Sequence, residues 1–356
     1  MRLHMDRKEN YILEEDLQSI SDSQNINWNT LVNKSILVTG GTGLIGSLLI
    51  KALCKVNIDY NLNLNILSLV RDKDKSAKVL GEYGRYVNHI IGTVEELPYI
   101  KDSIDYIIHG ASPTSSLFFI QHPVETIRTS VLGTMNLLNL AKKKNVDSFL
   151  YLSSMEVYGT HLNDKSIVET YGCSLDSMNI RNCYPIAKRL CENLCASYTR
   201  EYGIPAKAIR LSQTFGPGVL SDDKRLFAEI ARSVISKKDI VLQTDGMSKR
   251  SYLYTADAVL AILTVLLNGE NSNVYNACNP DTYCSIVDMA HMIVKELTND
   301  TVKVRVLSQS DIDLSKYPPS HYLNLDITKL RSLGWEPTIG LKDMYIRMIS
   351  GMVNEI

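Results

Sequence analysis

Short, wholly apolar runs alternate along much of the chain with stretches whose apolar residues recur every three or four positions. Ile36-Leu37-Val38, Ile66-Leu67-Ser68-Leu69-Val70, His89-Ile90-Ile91, Ile104-Asp105-Tyr106-Ile107-Ile108 and Ser148-Phe149-Leu150-Tyr151-Leu152 are runs of the first kind. Leu44, Ile45, Leu48, Leu49, Ala52 and Leu53 show the helical spacing, as do Val131, Leu132, Met135 and Leu138 within Thr129 to Lys144. Strands that are apolar on both faces belong in a sheet covered on both sides, and intervening helices make the crossovers. The pattern predicts an α/β domain with a doubly wound parallel sheet over residues 34–210.

Two flanking regions read differently. In residues 1–33, Tyr11-Ile12-Leu13, Leu17 and Ile20 recur at helical spacing, with Glu14, Glu15 and Asp16 on the other side. This predicts an N-terminal amphipathic helix that covers an edge of the domain or makes a dimer contact. Residues 211–356 are less regular, punctuated by Gly216-Pro217-Gly218, Asp245-Gly246 and Pro318-Pro319. Helices are predicted over Leu226 to Val234 and Ile286 to Leu297. A smaller C-terminal α/β substrate-binding domain is expected there, with some segments returning to the first.

Composition changes this picture little. The 356 residues are 45% hydrophobic and 22% charged, enough to bury a sizeable core. A formal net charge of -1 gives no electrostatic reason to expect nucleic acid or an anionic membrane as partner. No run approaches the roughly 20 apolar residues that span a bilayer. Met1 to Glu9 has neither an apolar h-region nor a small-residue cleavage site. Seven scattered cysteines without a pairing framework fit a reducing compartment, so a cytoplasmic location is expected. Cys191 and Cys195 share a helix face, but no partner His or Cys pair lies nearby, and core packing is the expectation rather than zinc.

The first chemistry lies between the first strand and its helix. Thr39-Gly40-Gly41-Thr42-Gly43-Leu44-Ile45-Gly46 places glycines at 40, 43 and 46. Such spacing serves a tight turn, close approach of backbone to phosphates, and tight helix–strand packing. The helix N-terminus adds unpaired N–H groups and a positive dipole end. With further strands in order, the loop predicts a Rossmann-type dinucleotide site. After the second strand comes Val70-Arg71-Asp72, where an acid selects NAD and an arginine accommodates NADP. Arg71 leans toward NADP; if it is merely a solvated loop residue, Asp72 is left to bind the ribose of NAD.

Tyr184 and Lys188 form a Tyr-x-x-x-Lys pair on one helix face, with Pro185 suited to a helix start. A free phenol has a pKa of about 10, and a nearby ammonium lowers it toward useful base strength. Ser153-Ser154 follows the fifth strand, where a hydroxyl can hydrogen-bond the reacting oxygen.

With the glycine loop, His109-Gly110-Ala111-Ser112, Ser154, Tyr184 and Lys188 in this order, the sequence resembles the extended short-chain dehydrogenases/reductases, specifically the nucleotide-sugar epimerases, dehydratases and decarboxylases. Phe215-Gly216-Pro217-Gly218, Arg250-Ser251-Tyr252 with Asp257, Asp326 to Lys329 and Leu333-Gly334-Trp335-Glu336-Pro337 extend the resemblance almost to the end. It implies a Ser154, Tyr184, Lys188 catalytic triad. It also implies a dinucleotide held by Gly40, Thr42, Gly43, Leu44, Ile45, Gly46, Arg71, Gly110, Ala111, Ser112, Tyr184 and Lys188. The expected partner is a nucleotide-sugar, and the expected assembly a homodimer through helices of the nucleotide domain. His109 is expected to pack in a loop near the cofactor without a chemical task.

Within that family the chain is most similar to UDP-glucuronate decarboxylases, through Ala111-Ser112-Pro113, His122-Pro123, Ile127-Arg128-Thr129, Gly133-Thr134 and Arg181-Asn182-Cys183-Tyr184. The resemblance assigns Glu156 a catalytic position and Ser115, Gln213, Arg225 and Arg250 substrate contacts, with Arg250 on the carboxylate or sugar. Four departures bear on the reaction. Met155 replaces a dehydratase aspartate and cannot donate a proton. Gln213 replaces an asparagine at the diphosphate, Gly218 replaces a decarboxylase arginine, and Arg71 has no acid before it. Two chemistries stay open: redox-neutral decarboxylation through a 4-keto sugar, and net NADPH-dependent reduction of a nucleotide-linked keto-sugar. A third reading, a catalytically inactive NAD(P)-binding sensor or scaffold, conflicts with the intact triad.

Overall fold

A computed structural model describes residues 2–172, 174–307 and 321–353, with side chains from residue 11 onward. Cys173 and the Pro318-Pro319 punctuation lie outside the described residues. The chain begins with α1 (Arg2–Ser21), β1 (Ser35–Thr39), α2 (Leu44–Asp59), β2 (Asn65–Val70), α3 (Lys73–Leu80), β3 (Val87–Ile91) and β4 (Tyr106–His109). It continues through α4 (Ser116–Gln121), α5 (Pro123–Lys144), β5 (Ser148–Ser154), α6 (Cys183–Tyr202), β6 (Ala206–Leu211), β7 (Gln213–Phe215) and α7 (Leu226–Ile235). Next come β8 (Ile240–Leu242), β9 (Lys249–Tyr254), α8 (Thr255–Asn268), β10 (Val274–Ala277), β11 (Asn279–Ser285) and α9 (Ile286–Thr298). The last elements are β12 (Val304–Val306), β13 (Tyr322–Leu323), α10 (Thr328–Arg331) and α11 (Leu341–Val353).

Seven strands form one parallel sheet in the order β10-β6-β5-β4-β1-β2-β3. Its central strands are buried on both faces, which is why they read as unbroken apolar runs. The order reverses between β1 and β4, and this switch point opens a crevice at the C-terminal strand ends. β10 comes from beyond residue 211, so the chain returns to the first sheet after leaving it. A second sheet joins β11, β9 and β13, with β7 also on β9, and β12 pairs with β8.

The predicted elements recur with shifted ends. Ile104 and Asp105 precede β4 rather than belonging to it, and His109 is the last residue of that strand, not of a loop. The crossover helix begins at Pro123, six residues before the apolar spacing becomes regular. Asp257, in the first turn of α8, accepts from the Thr338 N–H and hydroxyl and from the Ile339 N–H. The Trp335 indole donates to the Asp257 carbonyl at 3.1 Å. The Leu333 to Pro337 motif thus ties the C-terminal segment to α8.

The N-terminal helix corrects one expectation. Leu17 and Ile20 are buried, and α1 packs on α2, α8 and α11 of its own chain. Asp16, however, is not on a solvated face. Its carboxylate is buried, accepting from Tyr254 Oη at 2.6 Å and from Arg347 Nη1 at 3.0 Å. Two well-placed donors make that burial tolerable. Burial still dominates, raising its pKa from 3.8 to about 6 against the pull of Tyr254 and Arg347. The folded state therefore holds the extra proton more tightly than the unfolded chain between these values. Stability from this site is full below the unfolded pKa and lost as pH rises through about 6, by up to about 3 kcal/mol. Asp16→Asn should gain stability relative to wild type as pH rises from about 4 to about 7 in denaturant titrations. A difference that does not change with pH would contradict this.

Candidate active site

The glycine loop sits at the switch point. Gly40 has φ +79°, and a Cβ there would lie 2.8 Å from the Gly110 carbonyl carbon and oxygen and 2.9 Å from the Ala111 nitrogen. The loops after β1 and β4 are therefore in backbone contact, which only glycine permits at this position. Gly46 is packed more tightly still, since a Cβ would meet the Gly40 oxygen at 2.2 Å. Gly43 caps α2 without a side chain, so no side chain caps the N–H groups of the first turn, Leu44 to Gly46. Thr39 Oγ1 accepts from the Ala111 N–H at 3.1 Å and bonds His109 Nδ1 at 2.8 Å, fixing both loops. His109 is fully buried with its pKa pushed down to about 3, so it is a neutral packing residue. This cradle fits a dinucleotide diphosphate, which needs backbone donors and no nearby Cβ.

Beyond β2, Arg71 is exposed and Asp72 caps α3, accepting from the Lys75 N–H at 2.9 Å. Ser112 Oγ donates to the Pro113 carbonyl, and Thr42 is partly exposed at the loop.

Ser154 ends β5 and accepts from the Glu156 N–H at 3.2 Å. Tyr184 and Lys188 lie in the first two turns of α6, both buried. Pro185 falls in the first turn, where its missing N–H costs nothing. The Lys188 ammonium donates to the Leu152 carbonyl at 2.7 Å, 5.6 Å from the Tyr184 ring centre and 4.7 Å from that of Tyr151. Burial lowers its pKa to about 8.

The expectation of a lowered phenol does not hold for the protein alone. Tyr184 is raised well above the usual phenol range by burial and then by Glu156, while the Ser154 hydroxyl works against the rise. The physical reason is enclosure: Phe119 of α4 stacks on the Tyr184 ring at 4.3 Å, and Lys188 spends a proton on a backbone carbonyl. Glu156 lies among the same groups. Burial raises its pKa, opposed by Arg181 and then Arg250. Met155 is packed in the core.

The substrate-side residues are less uniform. Arg250 on β9 has a buried Nε without a partner among the described residues, and its Nη2 lies 3.3 Å from His321 Nε2. Gln213 pairs with Tyr252 through β7 and is half-buried. Arg225 forms a bidentate pair with Asp223, at 2.6 Å through Nη2 and 3.0 Å through Nε, so that edge of its guanidinium is committed. Ser115 caps α4. Phe119 carried no signal in the sequence, and Arg181 entered only within the Arg181-Asn182-Cys183-Tyr184 run, without a role of its own.

Residues 36–278 match the NAD dependent epimerase/dehydratase family. The chain belongs to this family. Among similar curated proteins is UDP-glucuronic acid decarboxylase 5 of Arabidopsis thaliana, 32% identical over 314 residues that cover 87% of each chain. UDP-glucuronic acid decarboxylase 1 of Xenopus tropicalis is 30% identical, with 87% of this chain and 70% of that protein covered. A solved UDP-glucuronic acid 4-epimerase from Bacillus cereus in complex with NAD superposes with TM-score 0.71 at 21% identity, covering 89% of this chain and 98% of that one. As a member of the epimerase/dehydratase family, the chain is an NAD-dependent enzyme of the extended short-chain type acting on nucleotide-sugars.

Proposed function

We propose that this enzyme decarboxylates UDP-glucuronate through a 4-keto sugar, with no net change in its dinucleotide. The observation that carries this reading is Glu156 enclosed beside Tyr184 with Arg181 and Arg250 acting on it, and the nearby position occupied by Met155. Arginines at a buried carboxyl group provide a place for a substrate acid. The missing aspartate removes the proton donor that 4,6-elimination of water needs. The decarboxylases among the relatives support the same reading.

When bound, the dinucleotide supplies hydride acceptance and return. Tyr184 takes the C4 hydroxyl proton as the C4 hydrogen leaves with its electron pair, and Ser154 holds the C4 oxygen. Lys188 offsets the phenolate charge. The resulting ketone lies β to the carboxylate, so the C5–C6 bond breaks to release CO2 and its electron pair becomes an enolate. A proton from solvent at C5, and return of the Tyr184 proton to the C4 oxygen once that carbon is reduced again, would give a UDP-pentose. Arg250 holds the carboxylate until it leaves, and Glu156 and Arg181 position the ring.

One observation favours net reduction by NADPH instead: Arg71 is exposed after β2, and the adjacent Asp72 is engaged as a helix cap. Mass spectrometry of dinucleotide released from denatured, freshly purified protein separates the two. Stoichiometric NAD supports the recycling enzyme, whereas an empty site with preference for NADPH supports the reductase.

We also propose a homodimer through α5 and α6. Val124, Ile127, Leu132 and Met135 on α5 and Leu190 on α6 are exposed, an apolar stripe that water disfavours. Light scattering should give twice the 40.0 kDa chain mass; a monomer at micromolar concentration would remove this proposal.

A further inference from the structure

Behind the catalytic residues runs a chain of polar side chains that the reaction above does not use. Glu192 stands one turn after Lys188 on α6 and is largely buried. Its Oε1 accepts from Ser153 Oγ at 2.5 Å and from Arg210 Nε at 2.9 Å, and its Oε2 accepts from Arg210 Nη2 at 2.7 Å. Arg210, on β6, also donates to Tyr158 Oη at 2.7 Å and to the Glu169 carbonyl at 2.8 Å. A buried ion pair contributes little net stability compared with apolar packing, so its presence here asks for another role.

The geometry points to one. We propose that Glu192, clamped by Arg210 and Ser153, is a positioning residue that places a carboxylate one helical turn from Lys188 and holds the Ser154-bearing end of β5 against α6. Two α6 side chains grip consecutive residues of that strand end, Lys188 at the Leu152 carbonyl and Glu192 at the Ser153 hydroxyl. Ser154 is the next residue, so the spacing between Ser154 and Tyr184 is set through this double grip.

The groups facing Lys188 make the carboxylate matter. His109 from β4 is neutral, Tyr151 from β5 presents its ring, and Tyr184 is protonated in the protein alone. Burial pushes the ammonium down, and Cys191 and Glu192 are the groups that push it up. Cys191 is itself held protonated by burial, and its Sγ donates to the Ser130 carbonyl, which leaves Glu192 as the anion. Arg210, on β6, is paired with that carboxylate.

This inference rests on the proton-transfer reading of Tyr184 and Lys188, and the test separates the two. The Cε resonances of 13C-labelled lysine, with Lys188→Met as assignment control, report the Lys188 midpoint in the holoenzyme without any turnover. Glu192→Gln should lower that midpoint by about one pH unit. It should also move the alkaline limb of kcat to lower pH by the same amount, a roughly fivefold loss at about pH 8 that approaches tenfold at higher pH, with KM retained. Glu192→Asp, which keeps the charge, should restore the midpoint. An unchanged midpoint in folded Glu192→Gln overturns the proposal. If Glu192→Gln does not fold, Ser153→Ala decides: kcat should fall several-fold with KM and the Lys188 midpoint unchanged, and an unaltered kcat overturns the positioning role. Absence of turnover in the wild type, with the midpoint shift present, defeats the decarboxylase reading and leaves the electrostatic coupling standing.

Discussion

Tyr184→Phe should lower kcat by about 10²–10⁴-fold while dinucleotide affinity changes by no more than a few-fold. The magnitude follows from what the hydroxyl does and what the ring does. The ring packs face to face on Phe119 at an interplanar angle of 9°, and phenylalanine keeps that stack. The hydroxyl is the only part lost, and with it the proton acceptor for the sugar. Because burial and Glu156 raise the phenol, its use as a base depends on the charge of Lys188 and on a bound, oxidised nicotinamide. Stopped-flow detection of nicotinamide reduction with nucleotide-sugar should therefore show the loss in the hydride step itself. Unchanged turnover would mean that another group moves the proton.

The second large effect belongs to Gly46. Gly46→Val should abolish dinucleotide retention, reading as an empty site after purification and at least a tenfold weaker Kd by titration. A Cβ would lie 2.2 Å from the Gly40 oxygen, 2.8 Å from its carbonyl carbon and 3.1 Å from the Gly41 Cα. All three are backbone atoms of the phosphate loop, so relief requires the loop to leave α2, and overpacking of this kind typically costs about 1–3 kcal/mol. The loop in turn touches Gly110 and Ala111, so both halves of the cradle shift together. Retention of dinucleotide at wild-type level in the variant would place the diphosphate elsewhere.

Much of the frame was legible because the central strands are buried on both faces, and short apolar runs alternating with helical stretches are how such strands read. The glycine spacing, the strand-end serine and the Tyr184–Lys188 pair were local signals, each within a few residues of the element that positions it. What escaped depends on distance along the chain. Asp16 looked solvated because its partners, Tyr254 and Arg347, lie hundreds of residues away. Glu192 carried no signal, since Ser153 and Arg210 reach it from two different strands. Arg225 is a different case, since Asp223, which takes its Nε and Nη2, stands only two residues away. The electrostatics of Tyr184 could not be read from an i,i+4 spacing, because Phe119 and the depth of burial decide it.

The most direct measurement of the central claim is the fate of the sugar carboxyl. Purified enzyme is incubated with UDP-glucuronate labelled at C6, with NAD present, and the label is followed into trapped CO2 while the nucleotide product is weighed by mass spectrometry. The account predicts label in CO2, a UDP-pentose in equal amount, no net reduced dinucleotide, and loss of all three in Tyr184→Phe. Label retained in the nucleotide-sugar, or product formed only with consumption of NADPH, would contradict it.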